Sequence, residues 1–179
     1  NCEIDNDTLL KYLNILKQNS YRLLRLVNNV LDSSKLENNF TDLTLVNCNI
    51  INIIENIVLS TCDYLKQNNK EIIFDTDEEE VFLSCDPDKI EKVILNLISN
   101  SLKFTDDNGK IYVEIKVNHQ EEQLFVHERN NGYSIWEENS KKIFDRFVQT
   151  DNNIRRKNEG SGIGLYLVKC MVEMHWGKI

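Results

Sequence analysis

The apolar residues Leu9, Leu13, Leu16, Leu23, Val27 and Leu31 recur at three- and four-residue steps or their sums, with Lys11, Asn14, Lys17, Asn19 and Arg22 between them. That spacing lays one narrow apolar stripe along a helix and predicts a single long helix over residues 7–37. Asp5 or Asp7 is its expected N-cap. Such a stripe is covered either by the helix's own domain or by a partner helix, and coiled pairing is the sharper expectation. Residues 38–42 read as a turn-like connection and 43–46 as a short alternating strand.

Helical spacing returns over 50–65, followed by a strand pattern over 70–75. The acidic run from Asp77 to Glu80 reads as a solvated hairpin tip, and 81–84 as another short strand. Asp86, Pro87 and Asp88 open a helix: an acidic N-cap followed by proline at the first helical position. Its apolar positions Ile90, Val93, Ile94, Leu97 and Ile98 carry it to about Phe104. Asp107, Asn108 and Gly109 form a turn, and 110–117 and 123–127 alternate as neighbouring strands. Residues 130–134 read as an irregular loop, 139–147 as helical, 148–160 as a polar connection, and 161–175 as a last helix. The expected fold is α+β: a long N-terminal helix, then an α/β sandwich whose mixed, mostly antiparallel sheet is covered by helices on one face.

Charge and cysteine usage narrow the class. The chain has 179 residues and a net charge of -8, which argues against nucleic acid as a partner. No apolar run has membrane-spanning length and no signal peptide is visible. The 5 cysteines are scattered and include no CxxC pair. They argue against a disulfide framework or a zinc site, and for a reducing compartment.

Two stretches carry chemistry. Asn96 and Asn100 lie one turn apart on one helix, so their side chains share a face and can offer carbonyl oxygens to a hard cation such as Mg²⁺. Gly160, Gly162 and Gly164 alternate with Ser161, Ile163 and Leu165 at the start of an apolar helix. Such a loop presents bare backbone N–H groups to an anion. Together they describe a pocket for a magnesium-bound polyphosphate.

In this order and spacing the chain resembles the dimerisation-helix and ATP-binding region of a sensor histidine kinase of two-component signalling. Residues 96–105 resemble the family's asparagine box and 126–135 an altered first glycine box. Residues 143–149 resemble its phenylalanine box, 160–165 its second glycine box, and 20–37 the second helix of its dimerisation hairpin. The resemblance implies the Bergerat-type ATP-binding fold over 39–179, with the final strand incomplete, and a partial dimerisation region over 1–38. It implies a histidine protein kinase in the intact protein. That enzyme would move the γ-phosphoryl group of ATP to a histidine and then to a response-regulator aspartate. The chain would form a homodimer through the N-terminal helix. It would work in the cytoplasm, with any membrane anchor supplied by other parts of the protein.

Residue by residue, the resemblance makes Asn100 the Mg²⁺ ligand and Asn96 its support. Lys103 would neutralise phosphate charge, or else be a solvated lysine. Phe104 would line the adenine site or belong to the core. Gly160, Ser161, Gly162, Ile163, Gly164 and Leu165 would form the phosphate turn. Phe144 and Phe147 would anchor a lid over 148–160. Arg155, Arg156 and Lys157 on that lid would meet phosphate or face solvent.

Three departures follow. The family's first glycine box reads Asp-x-Gly-x-Gly, its aspartate accepting from the adenine amino group. Here Asn130, Gly132 and Ser134 hold the three places. A charged hydrogen bond contributes roughly 1.5–3 kcal/mol and a neutral one about 1, so a loss on the order of tenfold or more in affinity is expected. Trp176 replaces a small residue. The family's acceptor histidine lies upstream of this chain's first residue. His119, His127 and His175 are all off the long helix, so these residues alone are not expected to autophosphorylate. A degenerate, regulatory relative with weak ATP binding is the alternative; a chaperone- or topoisomerase-type ATPase is a third reading.

Overall fold

The structure is a computed structural model that describes residues 6–37, 42–132, 140, 142–148 and 161–179. The chain divides into two compact units, Asn1–Thr41 and Asp42–Ile179. The first contains α1 (Asn6–Glu37). Asp7 falls inside this helix, and the alternative cap Asp5 lies outside the described residues. Leu9, Leu13, Leu16, Leu23, Val27 and Leu31 are all exposed.

In the second unit the elements are β1 (Val46–Asn49), α2 (Ile50–Gln67), β2 (Glu71–Thr76), β3 (Phe82–Cys85), α3 (Pro87–Phe104), β4 (Lys110–Asn118), β5 (Gln123–Asn130) and α4 (Gly164–Met174). The strand expected over 43–46 lies three residues later. The Thr44 N–H donates to Asp86 Oδ2 at 2.9 Å instead of to a strand neighbour. Asn49 closes β1 and caps α2, its Oδ1 accepting from Ile51 N–H and Val81 N–H, each at 3.2 Å. The acidic run 77–80 is not a hairpin tip, because β2 and β3 belong to different sheets. β3 pairs antiparallel with β1, while β2 runs parallel to β4, and β4 antiparallel to β5.

Alternation along β4 turns Ile111, Val113 and Ile115 to one face, where all three are buried. Helices cover that face. Ile54, Val58 and Leu65 of α2, Val93, Ile94 and Ile98 of α3, and Leu167, Val168 and Met171 of α4 complete the core. Burying such side chains contributes about 1.5–3 kcal/mol each.

α2 and α4 end alike. Lys70 N–H donates to Leu65 C=O and Asn69 N–H to Lys66 C=O, with Asn69 at φ 54°. Gly177 N–H donates to Val172 C=O and Trp176 N–H to Glu173 C=O, with Trp176 at φ 60°. Both are Schellman caps, which require a left-handed residue just past the helix. Asparagine tolerates that conformation, whereas tryptophan adopts it only at a steric cost.

Candidate functional site

Asp86 starts the site-bearing helix α3. Its Oδ1 accepts from Lys89 N–H at 3.2 Å and its Oδ2 from Lys89 Nζ at 2.9 Å. Burial pushes its carboxyl up, but the hydrogen bonds from Thr44 and Lys89 outweigh this and bring the pKa down to about 2. From that cap, Val93, Ile94, Ile98 and Ser101 point into the core. Asn96, Asn100, Lys103 and Phe104 are left half-buried at its margin. Asn96 Nδ2 donates to Lys92 C=O at 2.8 Å, so Oδ1 is the end turned outward. A Cβ placed on Gly164 would lie 3.0 Å from that oxygen. The glycine at the start of α4 therefore sits directly against the first asparagine.

The sheet supplies the next wall. Antiparallel register sets Glu128 opposite Val113 and Asn130 opposite Ile111, which turns both toward the helices. The Ser101 hydroxyl donates to Glu128 Oε1 and lies 3.4 Å from Asn130 Oδ1. Asn130 Nδ2 is buried with no hydrogen-bond partner. Burial raises the Glu128 carboxyl above its ordinary range, and the Ser101 hydrogen bond only partly opposes this. Glu128 was not singled out in the sequence, although alternation along 123–130 puts it on the same face as Asn130. Asn130 ends β5 and does not belong to a loop. Gly132 follows at a close approach: a Cβ there would fall 1.8 Å from Phe104 C=O, so only glycine fits.

Residues 142–148 are a series of turns, not the expected helix. Phe147 sits at φ 63° and donates its N–H to Gly162 C=O at 2.9 Å. The residue is 60% exposed, with the Arg146 guanidinium 4.7 Å from its ring centre. Phe147 is thus a backbone partner of the glycine loop and not a packed anchor; Phe144 is half-buried. Gly162 takes φ 66°, and a Cβ there would meet Phe147 C and Val148 O at 2.8 Å. The last helix begins at Gly164, three residues later than expected, with Ile163 at its N-cap and no side-chain cap or acidic residue in its first turn. Ile163 itself makes no side-chain capping bond, and a helix N-terminus is a setting that favours an anion.

Two contacts join the expected residues, Gly164 against Asn96 and Gly132 against Phe104; Asn100 and Lys103 lie half-buried on the same helix α3, Asn130 ends β5 beside Ser101, and Ser161 and Gly162 lead into α4. Ile163 is 1% exposed and belongs to the core; Leu165 is half-buried on α4. Ser134, Gly160 and the segment with Arg155, Arg156 and Lys157 lie outside the described residues. His175 is structural: its Nε2 accepts from Asp86 N–H at 3.0 Å, and its Nδ1–H donates to Met171 C=O at 2.7 Å. His119 bonds Glu78 at 2.8 Å. Among the described residues no three His, Cys, Asp or Glu side chains gather to hold a metal. Asn96 and Asn100, both half-buried on α3, carry neutral amide oxygens. Such hard donors suit Mg²⁺ when phosphate oxygens complete its shell.

Sequence and structure comparisons agree on the class of this arrangement. The model of the family described as histidine kinase-, DNA gyrase B-, and HSP90-like ATPase matches residues 85–179. The chain is 30% identical over 175 residues to the sensor histidine kinase WalK of Bacillus subtilis, covering 98% of this chain and 28% of that protein. It is 31% identical over 177 residues to histidine kinase P4 of Formosa agariphila, covering 97% and 13%. It therefore spans less than a third of either curated relative. Among solved structures, histidine kinase ThkA in complex with the response regulator protein TrrA superposes with a TM-score of 0.74 at 27% identity, covering 97% of this chain and 47% of that one. Full-length ShkA in complex with AMPPNP gives a TM-score of 0.77 at 21% identity, covering 96% and 35%, a likeness of fold.

Proposed function

Because the chain belongs to the histidine kinase-, DNA gyrase B- and HSP90-like ATPase family, we propose that it is the ATP-binding catalytic region of a sensor histidine kinase. The observation that carries this reading is the seating of Gly164 against Asn96 Oδ1, which joins the asparagine helix to the glycine loop. Asn100, with Asn96 beside it, would hold Mg²⁺, which supplies charge neutralisation on the β- and γ-phosphates when bound. Lys103 adds a positive point charge at the same margin. Gly162 and Gly164 let the backbone approach the phosphates, and the N–H groups of α4 receive their negative charge. Phe104 and Asn130 line the base side. Catalysis by such a set is positioning and electrostatic neutralisation of the transferred group.

The intact protein would pass the phosphoryl group to a histidine and then to a response-regulator receiver domain, the kind of partner in the ThkA–TrrA complex. It would act as a homodimer through α1. No helix among the described residues is long and apolar enough to cross a membrane, and a cytoplasmic setting fits this reading. Asn130 favours a second reading, a regulatory relative with weakened ATP binding. Its amide leaves a buried donor without a partner, where a base amino group would need an acceptor.

Calorimetric titration with ADP and a non-hydrolysable ATP analogue, with and without Mg²⁺, separates the two. Micromolar, Mg²⁺-dependent binding that Asn100→Asp perturbs far more than Asn118→Asp supports the kinase reading. Binding absent into the millimolar range favours the regulatory one, and equal effects of the two substitutions would sink the metal assignment.

A further inference from the structure

Cys48 and Cys85 are 37 residues apart in sequence, yet their sulfurs lie 3.3 Å from each other. Antiparallel pairing of β1 with β3 sets Cys48 opposite Leu83 and Val46 opposite Cys85. The two cysteines are therefore diagonal neighbours on one face of the ribbon, within reach of each other. Both are free thiols. They differ in access: Cys48 is half-buried, while Cys85 is 1% exposed. We propose that Cys48 and Cys85 form a reversible oxidation site, which a peroxide converts into a cross-strand disulfide pinning β1 to the N-terminus of α3.

The asymmetry of the pair assigns the order of events. Cys48 is the sulfur that solvent reaches, and the thiolate is the reactive form of any cysteine. Burial, the hydrogen bond with Cys48 and the negative charges of Cys48 and Asp86 push the Cys85 thiol up to about 12, so it stays protonated. With hydrogen peroxide as oxidant, the Cys48 thiolate attacks one peroxide oxygen and breaks the O–O bond. Cys48 becomes a sulfenic acid, and the departing hydroxide takes a proton to become water. The Cys85 proton passes to the Cys48 hydroxyl as the Cys85 sulfur, gaining thiolate character, attacks the Cys48 sulfur; the S–O bond breaks and the hydroxyl leaves as a second water. Two thiols lose two electrons and two protons, and the peroxide is reduced to two waters. A thiol reductant reverses the bond by exchange. The new bond would sit one residue before Asp86, the cap of the helix that carries Asn96 and Asn100. It would tie that cap to the first strand after the N-terminal unit.

The test uses the whole folded chain. It is exposed to dilute hydrogen peroxide, quenched with an alkylating agent, digested and mapped by mass spectrometry. Cys62 and Cys170 serve as internal references, since both are free, half-buried thiols. The expected result is a linked Cys48–Cys85 peptide pair that dithiothreitol removes. With a resolving thiol 3.3 Å away, it should form while Cys62 and Cys170 are still free of disulfides. Cys85→Ser should leave Cys48 as a sulfenic acid that dimedone traps, and Cys48→Ser should leave Cys85 unreacted. Recovery of both cysteines unlinked overturns the proposal. So does a link that forms only in denaturant, or random pairing with Cys62 and Cys170. Should a serine variant fail to fold, the map of the parent chain still decides.

Discussion

Asp86 is 3% exposed and receives hydrogen bonds from Thr44 N–H, Lys89 N–H and Lys89 Nζ. Its folded pKa of about 2 lies below the ordinary value of 3.8. The folded state therefore binds this proton less readily than the unfolded chain. The stabilisation is complete above pH ~4 and is lost as pH falls through ~2, and the shift corresponds to about 2 kcal/mol. Asp86→Asn should remove that contribution at neutral pH and flatten the acid limb of the stability curve, as denaturant titrations at several pH values would reveal. Glu128 has the opposite sign. Burial raises its folded pKa, so the folded state binds the proton more readily and stability falls as pH climbs from the ordinary carboxylate range through the raised value. Glu128→Gln should abolish that fall and leave the chain more stable at neutral pH. Asn130 shares the Ser101 hydroxyl with Glu128, so the two positions are coupled. Asn130→Asp with Ser134→Gly should tighten adenine-nucleotide binding about tenfold, by turning a neutral hydrogen bond into a charged one. Unchanged affinity in titration calorimetry would mean that Asn130 does not meet the base.

At the level of elements, the two Schellman caps make a matched pair with one mismatched residue. Trp176 holds the left-handed position after α4 at φ 60° while 76% exposed, so it has strain without compensating burial. A left-handed non-glycine residue costs roughly 1–2 kcal/mol. Trp176→Gly should raise stability by about 1 kcal/mol, and Asn69→Gly by less, because asparagine already tolerates the geometry. Thermal melts of the two variants give the comparison. Gly162→Ala should do the reverse, adding a left-handed penalty and a clash with Phe147 and Val148 in the loop proposed to hold phosphate. The strong local signals of the sequence lay in such caps and periods. Asp86 and Pro87 marked the start of α3, and alternation marked β4 and β5. What the residues did not announce was set by partners remote in sequence. β1 lies three residues past its expected place because Asp86, 42 residues away, takes the Thr44 N–H. The turns over 142–148 replace a helix where Phe147 bonds across to Gly162. The asparagine and glycine positions of the proposed site rest on their spacing. The Ser101–Glu128–Asn130 cluster and the Cys48–Cys85 pair emerge only once strand register is known.

At the scale of the whole molecule, the unresolved demand is the apolar stripe of α1. Leu9, Leu13, Leu16, Leu23, Val27 and Val30, together with Ser20, follow alternating steps of four and three residues. The six apolar members are 44–62% exposed. Six side chains in coiled-coil register are a liability to a monomer in water, and that register suits a second helix of the same kind. The proposed homodimer would bury this stripe. Leu16→Glu with Leu23→Glu removes two central positions. Each buried leucine contributes roughly 1.5–3 kcal/mol, so the pair should weaken association by at least about a hundredfold. Light scattering across a concentration series should give the mass of two chains for the parent and of one for the double variant. Nucleotide titration should be unchanged in the variant, because the proposed site draws all its residues from the second unit. A parent that stays monomeric at every concentration would mean that α1 alone does not pair, and that its stripe is covered by something other than its own copy.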